Sequence, residues 1–344
     1  MRIRTGARPV PVAALAQLLR VVASQPDPSL QLTSRGALQL RGLPDPVPAE
    51  VTAAIVATGL VPSPAHELAR TIVASPLSGL DGLGLADVRR LVRELDDGLC
   101  ADPDLAALPG RFLFAVDDGR GDVAGSGFDV GLLALASESV TVMAGGSERG
   151  WVVNAGAAVP LALSLARSFL AARERLGSRA WHVRELGAPI GPGGATPVNL
   201  PRGAAAALGQ HGRHALVGVP LGLLTAAHVA ALGDVADHVV VTPWRSLVIE
   251  GAAGSLDHLA ASGLAASQRS PWARLHACTG LPGCAKSSID THAFARELAG
   301  RMPLGALPVH VSGCDRRCGA PAGDHVDLLA PASIDAAMAA LNRD

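Results

Sequence analysis

The chain is poor in several residue types, and each shortage excludes a class of function. Its 344 residues contain no tyrosine, and aromatic residues make up only 3% of the sequence. A surface that stacks nucleic-acid bases is therefore improbable. Charged residues amount to 17% and the formal net charge is −1, so the basic excess typical of nucleic-acid-binding proteins is missing too. We predict no nucleic-acid partner.

Long hydrophobic runs are also scarce. The longest apolar stretch, residues 151–172, is interrupted by Asn154, Pro160 and Arg167 and contains more alanine and glycine than leucine and isoleucine, which makes it a poor transmembrane span. A buried helix over about residues 159–176 fits this pattern better. Arginines precede an apolar segment at the N-terminus, but no clean signal-peptide cleavage site follows it. We expect a cytoplasmic protein without a membrane partner.

What the chain does contain is enough apolar material for more than one compact unit. Apolar residues make up 49% of the sequence and the mean hydropathy is +0.32, which excludes general disorder. Lys286 is the only lysine, so nearly every fixed positive charge is a guanidinium, the group suited to bidentate contacts with carboxylates.

An internal repeat with an offset of 209 residues organises the chain. Residues 32–42 align with residues 241–251, and an apolar helical stretch precedes each copy, over about residues 12–23 and 221–232. Two short strands follow each helix, and residues 48–58 form a second helix in the first copy. This order suggests a βαββαβ ferredoxin-like unit in each half.

The repeat continues more loosely into a second unit. Residues 71–79 resemble residues 275–283, and a helix and then a strand follow each segment. We therefore predict an α+β fold in which a ferredoxin-like unit plus an α/β unit is duplicated about a pseudo-two-fold axis. The helices are expected over about residues 86–99 and 289–299, and the strands over 112–116 and 309–311. The predicted domains are residues 1–62, 63–186, 187–255 and 256–344.

Cysteine is scarce but unevenly placed. The chain has five cysteines, and four of them lie within 41 residues as C-x5-C followed by C-x3-C. An odd number of cysteines without an export signal favours metal or redox chemistry over a disulfide framework. Cys100 stands apart and is expected to be a small buried residue. The four clustered residues are Cys278, Cys284, Cys314 and Cys318.

Two cysteine pairs separated by a helix and a strand can converge on one metal centre. Four thiolates suffice for a [4Fe–4S] cluster, and the glycines and proline within residues 279–283 let the backbone wrap around it. The second pair follows a strand and is expected to open a turn of helix. A structural zinc site is an alternative that the five-residue gap of the first pair disfavours. Four unrelated buried cysteines are a further alternative.

These features together resemble the sulfite/nitrite reductase superfamily, along essentially the whole chain. Within it, residues 310–314 (HVSGC) and 242–245 (TPWR) look most like the precorrin-3B synthase family of aerobic cobalamin biosynthesis. The resemblance implies an O2-dependent hydroxylation of precorrin-3A at C20, with γ-lactone formation. It also implies that Cys278, Cys284, Cys314 and Cys318 bind the cluster, and that Cys318 would bridge the cluster to iron if siroheme were bound.

The resemblance also points to an arginine-lined substrate site. Arg4, Arg35, Arg70 and Arg111 match motif positions around the tetrapyrrole or anion pocket and are predicted to bind substrate carboxylates. The family's reductases have two lysines one residue apart where this chain has Arg111 and Leu113. Loss of a cationic proton donor at Leu113 argues against six-electron reduction of sulfite or nitrite. For any single arginine, a surface charge or structural ion pair is the competing interpretation.

Three functions from different classes remain open. The first is a precorrin-3B synthase with a precorrin-3A substrate, O2 and an external electron-donor protein, since no dinucleotide motif follows a strand. The second is a siroheme-dependent sulfite or nitrite reductase, and the third is an electron-transfer module. An additional non-haem iron is conceivable, but no spacing demands one. His310 is expected to pack within its strand, with proton donor or iron ligand as alternatives, and we expect a monomer.

Overall fold

The computed structural model describes residues 1–303, 307–321 and 323–342. Within these ranges the chain forms eight α-helices and eighteen strands. The helices are α1 (Val12–Val22), α2 (Ala49–Val56), α3 (Arg89–Ala101), α4 (Ala155–Arg175), α5 (Ala226–Gly233), α6 (Leu256–Ala261), α7 (Thr291–Ala299) and α8 (Ile334–Leu341).

The strands form four sheets, and the α+β fold predicted from the sequence is confirmed. In chain order the strands are β1 (Arg2–Arg4), β2 (Val10–Pro11), β3 (Leu30–Leu32), β4 (Ala37–Gln39), β5 (Ile72–Ala74), β6 (Phe114–Asp117), β7 (Val130–Ala136), β8 (Ser139–Ala144), β9 (Arg149–Asn154), β10 (Thr196–Pro197), β11 (Gly209–His211), β12 (His214–Gly218), β13 (Leu223–Leu224), β14 (His238–Val241), β15 (Ser246–Ile249), β16 (Leu275–Ala277), β17 (Val309–Ser312) and β18 (Val326–Leu329).

The two ferredoxin-like halves exchange strands. One sheet has the order β1-β4-β3-β13 and the other the order β11-β12-β15-β14-β2. Thus β13, which precedes α5, pairs with β3 of the first half, and β2, which precedes α1, pairs with β14 of the second half. Helices α1 and α5 pack against each other, and one hydrophobic core contains residues of both halves, among them Leu15 and Leu232.

Each half also has an α/β unit, as the loose repeat predicted, and this unit contains a three-stranded parallel array. Strands β5, β6 and β7 are parallel neighbours in the first half, and β16, β17 and β18 are parallel neighbours in the second. The first array is extended by the antiparallel strands β8, β9 and β10, which have no counterpart in the second sheet. Helices α3 and α4 contact the first array, whereas α7 and α8 contact the second.

The helix predicted near residues 159–176 begins earlier, at Ala155, where the Asn154 side chain accepts the N–H of Gly156 as an N-cap. By length and composition α4 could cross a membrane. It instead places Ala162, Leu165 and Phe169 in the core of the first α/β unit. Strand β9 occupies the start of the apolar stretch, and its consecutive residues from Gly150 to Asn154 pair with β8.

Two local predictions are wrong. The helix expected over residues 221–232 begins only at Ala226, because a short 3-10 turn and β13 occupy the preceding residues. No helix opens at Cys314, since residues 313–320 contain only bends, turns and irregular backbone. Arg317 within that segment has a positive φ of 44°, which is incompatible with a right-handed helix.

Candidate functional site

The two cysteine loops lie at the carboxyl ends of adjacent parallel strands. Cys278 directly follows β16, and Cys314 comes two residues after the end of β17. The Cys278 N–H donates to the Val311 carbonyl at 3.0 Å, and the Gly313 N–H donates to Cys278 Sγ at 3.4 Å. The sulfur of the first loop therefore lies against the backbone of the second loop, one residue before Cys314.

The rest of the first cysteine loop also contacts the backbone at Gly313. The Ser288 N–H donates to the Gly313 carbonyl at 3.0 Å, and the Ser287 N–H donates to the Cys284 carbonyl at 3.1 Å. A Cβ on Gly313 would lie 1.7 Å from Ser287 Oγ, so this approach requires glycine. All four cysteines are free thiols, from the buried Cys278 to the exposed Cys318.

The loops suit a group bound by thiolates, because they supply cysteine sulfurs and a backbone N–H that donates to one of them. Backbone N–H donation to a cysteine sulfur is the interaction that tunes iron–sulfur clusters, and it is present at Cys278. As the side chains stand in residues 1–303, 307–321 and 323–342, however, they bring no three His, Cys, Asp or Glu groups into a metal-binding arrangement. Among these residues there is likewise no ligand arrangement for an additional non-haem iron, so the structure adds no support for that iron. The [4Fe–4S] ligand set stays a prediction.

The first half has a hydrogen-bonded counterpart of the cysteine loops. Ser75 occupies the position of Cys278, since its N–H donates to the Val116 carbonyl at 3.1 Å. Its hydroxyl accepts the Asp118 N–H at 3.2 Å, as Cys278 Sγ accepts that of Gly313, and donates to Asp122 Oδ1 at 2.6 Å. Burial, and after it the charge of Asp117, raises the pKa of Asp122 to about 6 against the hydrogen bond from Ser75. In the first half the Ser75 hydroxyl thus links the two loops by hydrogen bonds, at the position where the Cys278 sulfur links them in the second half.

Of the four arginines predicted to bind substrate, the structure brings Arg35 and Arg111 together. Arg35 lies in the β3–β4 turn, and its Nη1 donates to the Arg111 carbonyl at 3.4 Å. The Arg111 guanidinium stacks over Trp181 at 5.2 Å from the ring centroid. Burial, followed by the charges of Arg2, Arg111 and, after the opposing Asp129, Arg184, lowers the pKa of Arg35. We call Arg2, Arg35, Arg111 and Arg184 the arginine cluster.

Arg4 lies beside this cluster but is buried. Its Nε donates to Thr71 Oγ1 at 2.8 Å and its Nη2 donates to the Gly110 carbonyl at 3.2 Å. Burial lowers the pKa of Arg4 most, Glu67 opposes that change, and Arg2 and Arg35 add to it. The Arg4 guanidinium therefore adds a positive charge next to the backbone of Gly110, the residue before Arg111.

Arg70 is placed differently from the other three. Its Nε and Nη2 form a bidentate ion pair with Asp96 at 2.7 and 3.0 Å, and both side chains are almost fully buried. Its Nη1 donates to the carbonyls of Arg4 and Leu60 and lies 3.4 Å from Glu67 Oε2. With every nitrogen engaged inside the protein, Arg70 offers no free donor to a substrate.

Leu113 has no access to the site. Its side chain is buried in an apolar cluster with Phe128 and Leu133, and Trp244 packs against that cluster. Its N–H donates to Asp129 Oδ2 at 2.9 Å. The position at which the resemblance implied a second lysine therefore contributes to the core and provides no proton donor.

Sequence reasoning missed the β14–β15 turn as a junction between the two α/β units. Trp244 packs on the first unit, while the side chain of the next residue, Arg245, reaches Gly319 beside Cys318. Burial lowers the pKa of Arg245. The 209-residue repeat carried the signal, because Arg245 aligns with Gly36 and both have positive φ angles, 55° and 63°.

Comparison with known proteins agrees with this architecture. No family model matches the chain. A segment of 112 residues, 31% of the chain, is 35% identical to the ferredoxin–nitrite reductase of Synechococcus elongatus but spans only 22% of that protein. Over 345 aligned residues, the chain is 25% identical to a precorrin-3B synthase of Sinorhizobium sp., covering 87% of this chain and 70% of that protein.

A solved structure supports the fold. The Mycobacterium tuberculosis NirA protein superposes with a TM-score of 0.65 at 20% identity, covering 91% of this chain and 67% of the other. At that identity the likeness shows the fold alone. Together the three similarities confirm the resemblance inferred from the cysteine motif and the repeat.

Proposed function

We propose a function from one premise: this chain shares the fold of a solved structure, the Mycobacterium tuberculosis NirA protein, and is similar to a precorrin-3B synthase along most of its length. Fold does not choose among the members of a superfamily, so the choice depends on the site. The proposed activity is an O2-dependent hydroxylation of precorrin-3A at C20, with closure of the ring A acetate as a γ-lactone. One oxygen atom enters the product, and the other leaves as water after taking up two protons and two electrons, the electrons coming from an external donor protein.

The arginine cluster is the observation that supports a polycarboxylate substrate most directly. The Arg35 guanidinium donates to the backbone carbonyl of Arg111, and after burial the positive charges of Arg2, Arg111 and Arg184 lower the pKa of Arg35. Mutual repulsion among guanidiniums costs free energy that an anionic ligand removes. A substrate that carries several carboxylates can pair with each of these arginines through charge-assisted hydrogen bonds.

The buried Leu113 favours this function over six-electron reduction. Reducing nitrite or sulfite requires repeated proton delivery, and the side chain at this position is packed in an apolar core. Hydroxylation of a bound macrocycle makes a smaller demand on cationic proton donors. The reductase stays the second candidate because the 112-residue segment is 35% identical to a ferredoxin–nitrite reductase.

Cys278, Cys284, Cys314 and Cys318 would hold the proposed [4Fe–4S] cluster. When bound, such a cluster supplies electrons one at a time. The chain's own contribution is to position the thiolates: Gly313 donates its N–H to Cys278 Sγ, and Ser288 fixes the Gly313 peptide through its carbonyl. Siroheme belongs to this chain only under the reductase alternative.

The decisive experiment is anaerobic reconstitution with iron and sulfide, followed by turnover of precorrin-3A under ¹⁸O2. We expect about four irons per chain, no siroheme absorption and one labelled oxygen in the product. Serine variants of the four clustered cysteines should lose iron, whereas Cys100→Ser should retain it as the matched control. Arg111→Gln should bind precorrin-3A at least roughly 10-fold more weakly, while the exposed control Arg213→Gln should not.

Two outcomes would redirect the assignment. Siroheme in the purified protein together with methyl-viologen-driven reduction of nitrite or sulfite would establish the reductase alternative. A reconstituted protein that binds iron but no precorrin would favour the electron-transfer module. Unlabelled product under ¹⁸O2 would exclude the monooxygenase chemistry.

A further inference from the structure

The parallel array of the second half carries polar side chains on the face opposite its helices. Alternate residues such as Val309 and Val311 pack on α7 and α8, so the intervening residues face the other way. Across the three strands those residues are His276, His310 and Asp327, which are direct neighbours in register. The equivalent row in the first half is Val73, Ala115 and Gly131, so the fold itself does not require polar groups there.

His310 lies in the middle of this row. It is fully buried, and neither ring nitrogen has a hydrogen-bond partner among the described residues. The His325 ring meets it edge-on, with 6.5 Å between centroids. Asp327 is engaged elsewhere, since its oxygens accept from Ser312 Oγ and Arg317 Nε. A buried imidazole without partners is costly unless a ligand completes its hydrogen bonds.

Arg245 is a second unpartnered group that faces the same region. Its charge acts on both His276 and His310, and its Nη2 lies 2.8 Å from where a Cβ on Gly319 would be. Within the described part of the chain, its guanidinium makes no hydrogen bond or ion pair. Its φ of 55° lies in the left-handed region, which is strained for a residue other than glycine.

We propose that Arg245 and His310 form a carboxylate-binding subsite beside the Cys318–Gly319 loop. A carboxylate accepts hydrogen bonds from both a guanidinium and an imidazole N–H, and it balances the unpaired charge. The same charge disfavours a metal cation at this row of histidines. This inference rests on the proposed function, under which the carboxylate belongs to the tetrapyrrole substrate and the second half contributes to its recognition along with the arginine cluster.

The test measures binding of uroporphyrin III, a tetrapyrrole polycarboxylate, to the reconstituted protein by fluorescence titration. Arg245→Gln should weaken binding at least roughly 10-fold, because a charge-assisted hydrogen-bond pair is lost. Arg245→Lys should recover part of that loss, and the exposed control Arg213→Gln should bind like the wild type. Arg245→Gly should raise the melting temperature of the ligand-free protein, since it removes both strain and unpaired charge. Equal binding by Arg245→Gln and the wild type would overturn the inference while leaving the tetrapyrrole function intact.

A second arm separates this inference from the proposed function. Citrate and chloride are compared at equal ionic strength for their effect on the melting temperature of the wild type and Arg245→Gln. If uroporphyrin III does not bind but citrate stabilises the wild type more than the variant, the carboxylate subsite stands and the tetrapyrrole function falls. If neither ligand distinguishes the two proteins, the subsite is refuted.

Discussion

The arginines matched to the substrate site differ in what their guanidinium groups contact. Arg70 forms a buried bidentate pair with Asp96, whereas Arg35 donates to the backbone carbonyl of Arg111, and nearby positive charges lower its pKa further after burial. The sequence motifs matched both residues to the substrate site, because a motif records position and not the partner supplied by a distant helix. Asp96 lies in α3, 26 residues after Arg70, and no local pattern links the two.

Replacing each of these two arginines with leucine should therefore affect different properties, stability for Arg70 and substrate binding for Arg35. Arg70→Leu leaves Asp96 buried without its partner and should lower the free energy of unfolding by about 3–5 kcal/mol. Arg35→Leu should change stability by less than about 1 kcal/mol but weaken binding of a tetrapyrrole polycarboxylate. Urea unfolding and fluorescence titration measure the two effects. Loss of binding without loss of stability in Arg70→Leu would contradict the structural assignment of that residue.

Asp122 should make stability depend on pH. Its folded pKa of about 6 lies above the ordinary value of 3.8, so the folded protein binds a proton that the unfolded chain releases between these values. The free energy of unfolding therefore falls as pH rises from about 4 to about 6. Asp122→Asn should be more stable than the wild type at pH 8, by up to about 3 kcal/mol, and nearly equal to it below pH 4.

The comparison is a series of urea unfolding curves for both proteins between pH 4 and pH 8. Asp118→Asn is the contrasting variant, because Asp118 pairs with Arg120 at 2.8 Å and its neutralisation should destabilise the protein at neutral pH. A gain for Asp122→Asn that does not change with pH would rule out titration of the carboxyl as its cause.

At the scale of elements, the loops after equivalent strands have diverged while the strands have kept their register. Ser75 and Cys278 make the same backbone contact, and Asp118 and Gly313 donate to their side chains in the same way. One pair of loops is closed by polar hydrogen bonds, and the other presents four cysteines. The geometry of the strand ends thus accommodates either chemistry.

Gly313 should control whether the cysteine loops can come together. Gly313→Ala places a methyl group 1.7 Å from Ser287 Oγ, so the loops must separate, and the protein should incorporate less iron and sulfide on reconstitution. Adding Ser287→Gly leaves the Ser287 backbone as the nearest group, at 3.3 Å, and should restore most of that incorporation. Iron and sulfide assays on the single and double variants provide the measurement. Full incorporation by Gly313→Ala alone would show that the loops do not need this contact.

Much of the element order could be predicted from periodicity, but the strand exchange could not. Helices α1 and α7 have apolar spacings and breakers that mark their limits to within two residues of those observed. Strands β2 and β13 have two residues each, too few for an alternating pattern. Their partners are chosen by long-range packing, which a single sequence does not display. The same holds for the site. Residue types predicted the four cysteine ligands, but only the side-chain contacts in the structure distinguish Arg35 from the ion-paired Arg70.

For the molecule as a whole, the shared core should make the two ferredoxin-like halves unfold together. Leu15 of the first half and Leu232 of the second are fully buried in one cluster. Leu15→Ala should lower the free energy of unfolding by about 2–5 kcal/mol and accelerate hydrogen exchange equally in β4 and β15. Leu298→Ala, in the separate core of the C-terminal α/β unit, is the comparison variant. Faster exchange in β4 alone after Leu15→Ala would show that the halves are independent.

The exchanged strands also constrain how the protein is made. The outer edge of β3 stays uncovered until Leu223–Leu224 pairs with it. Residues 33–222 must leave the ribosome before that segment does. Until then the nascent N-terminal half exposes an open strand edge, which is a template for aggregation. The first ferredoxin-like sheet is thus complete only once the second half has supplied β13.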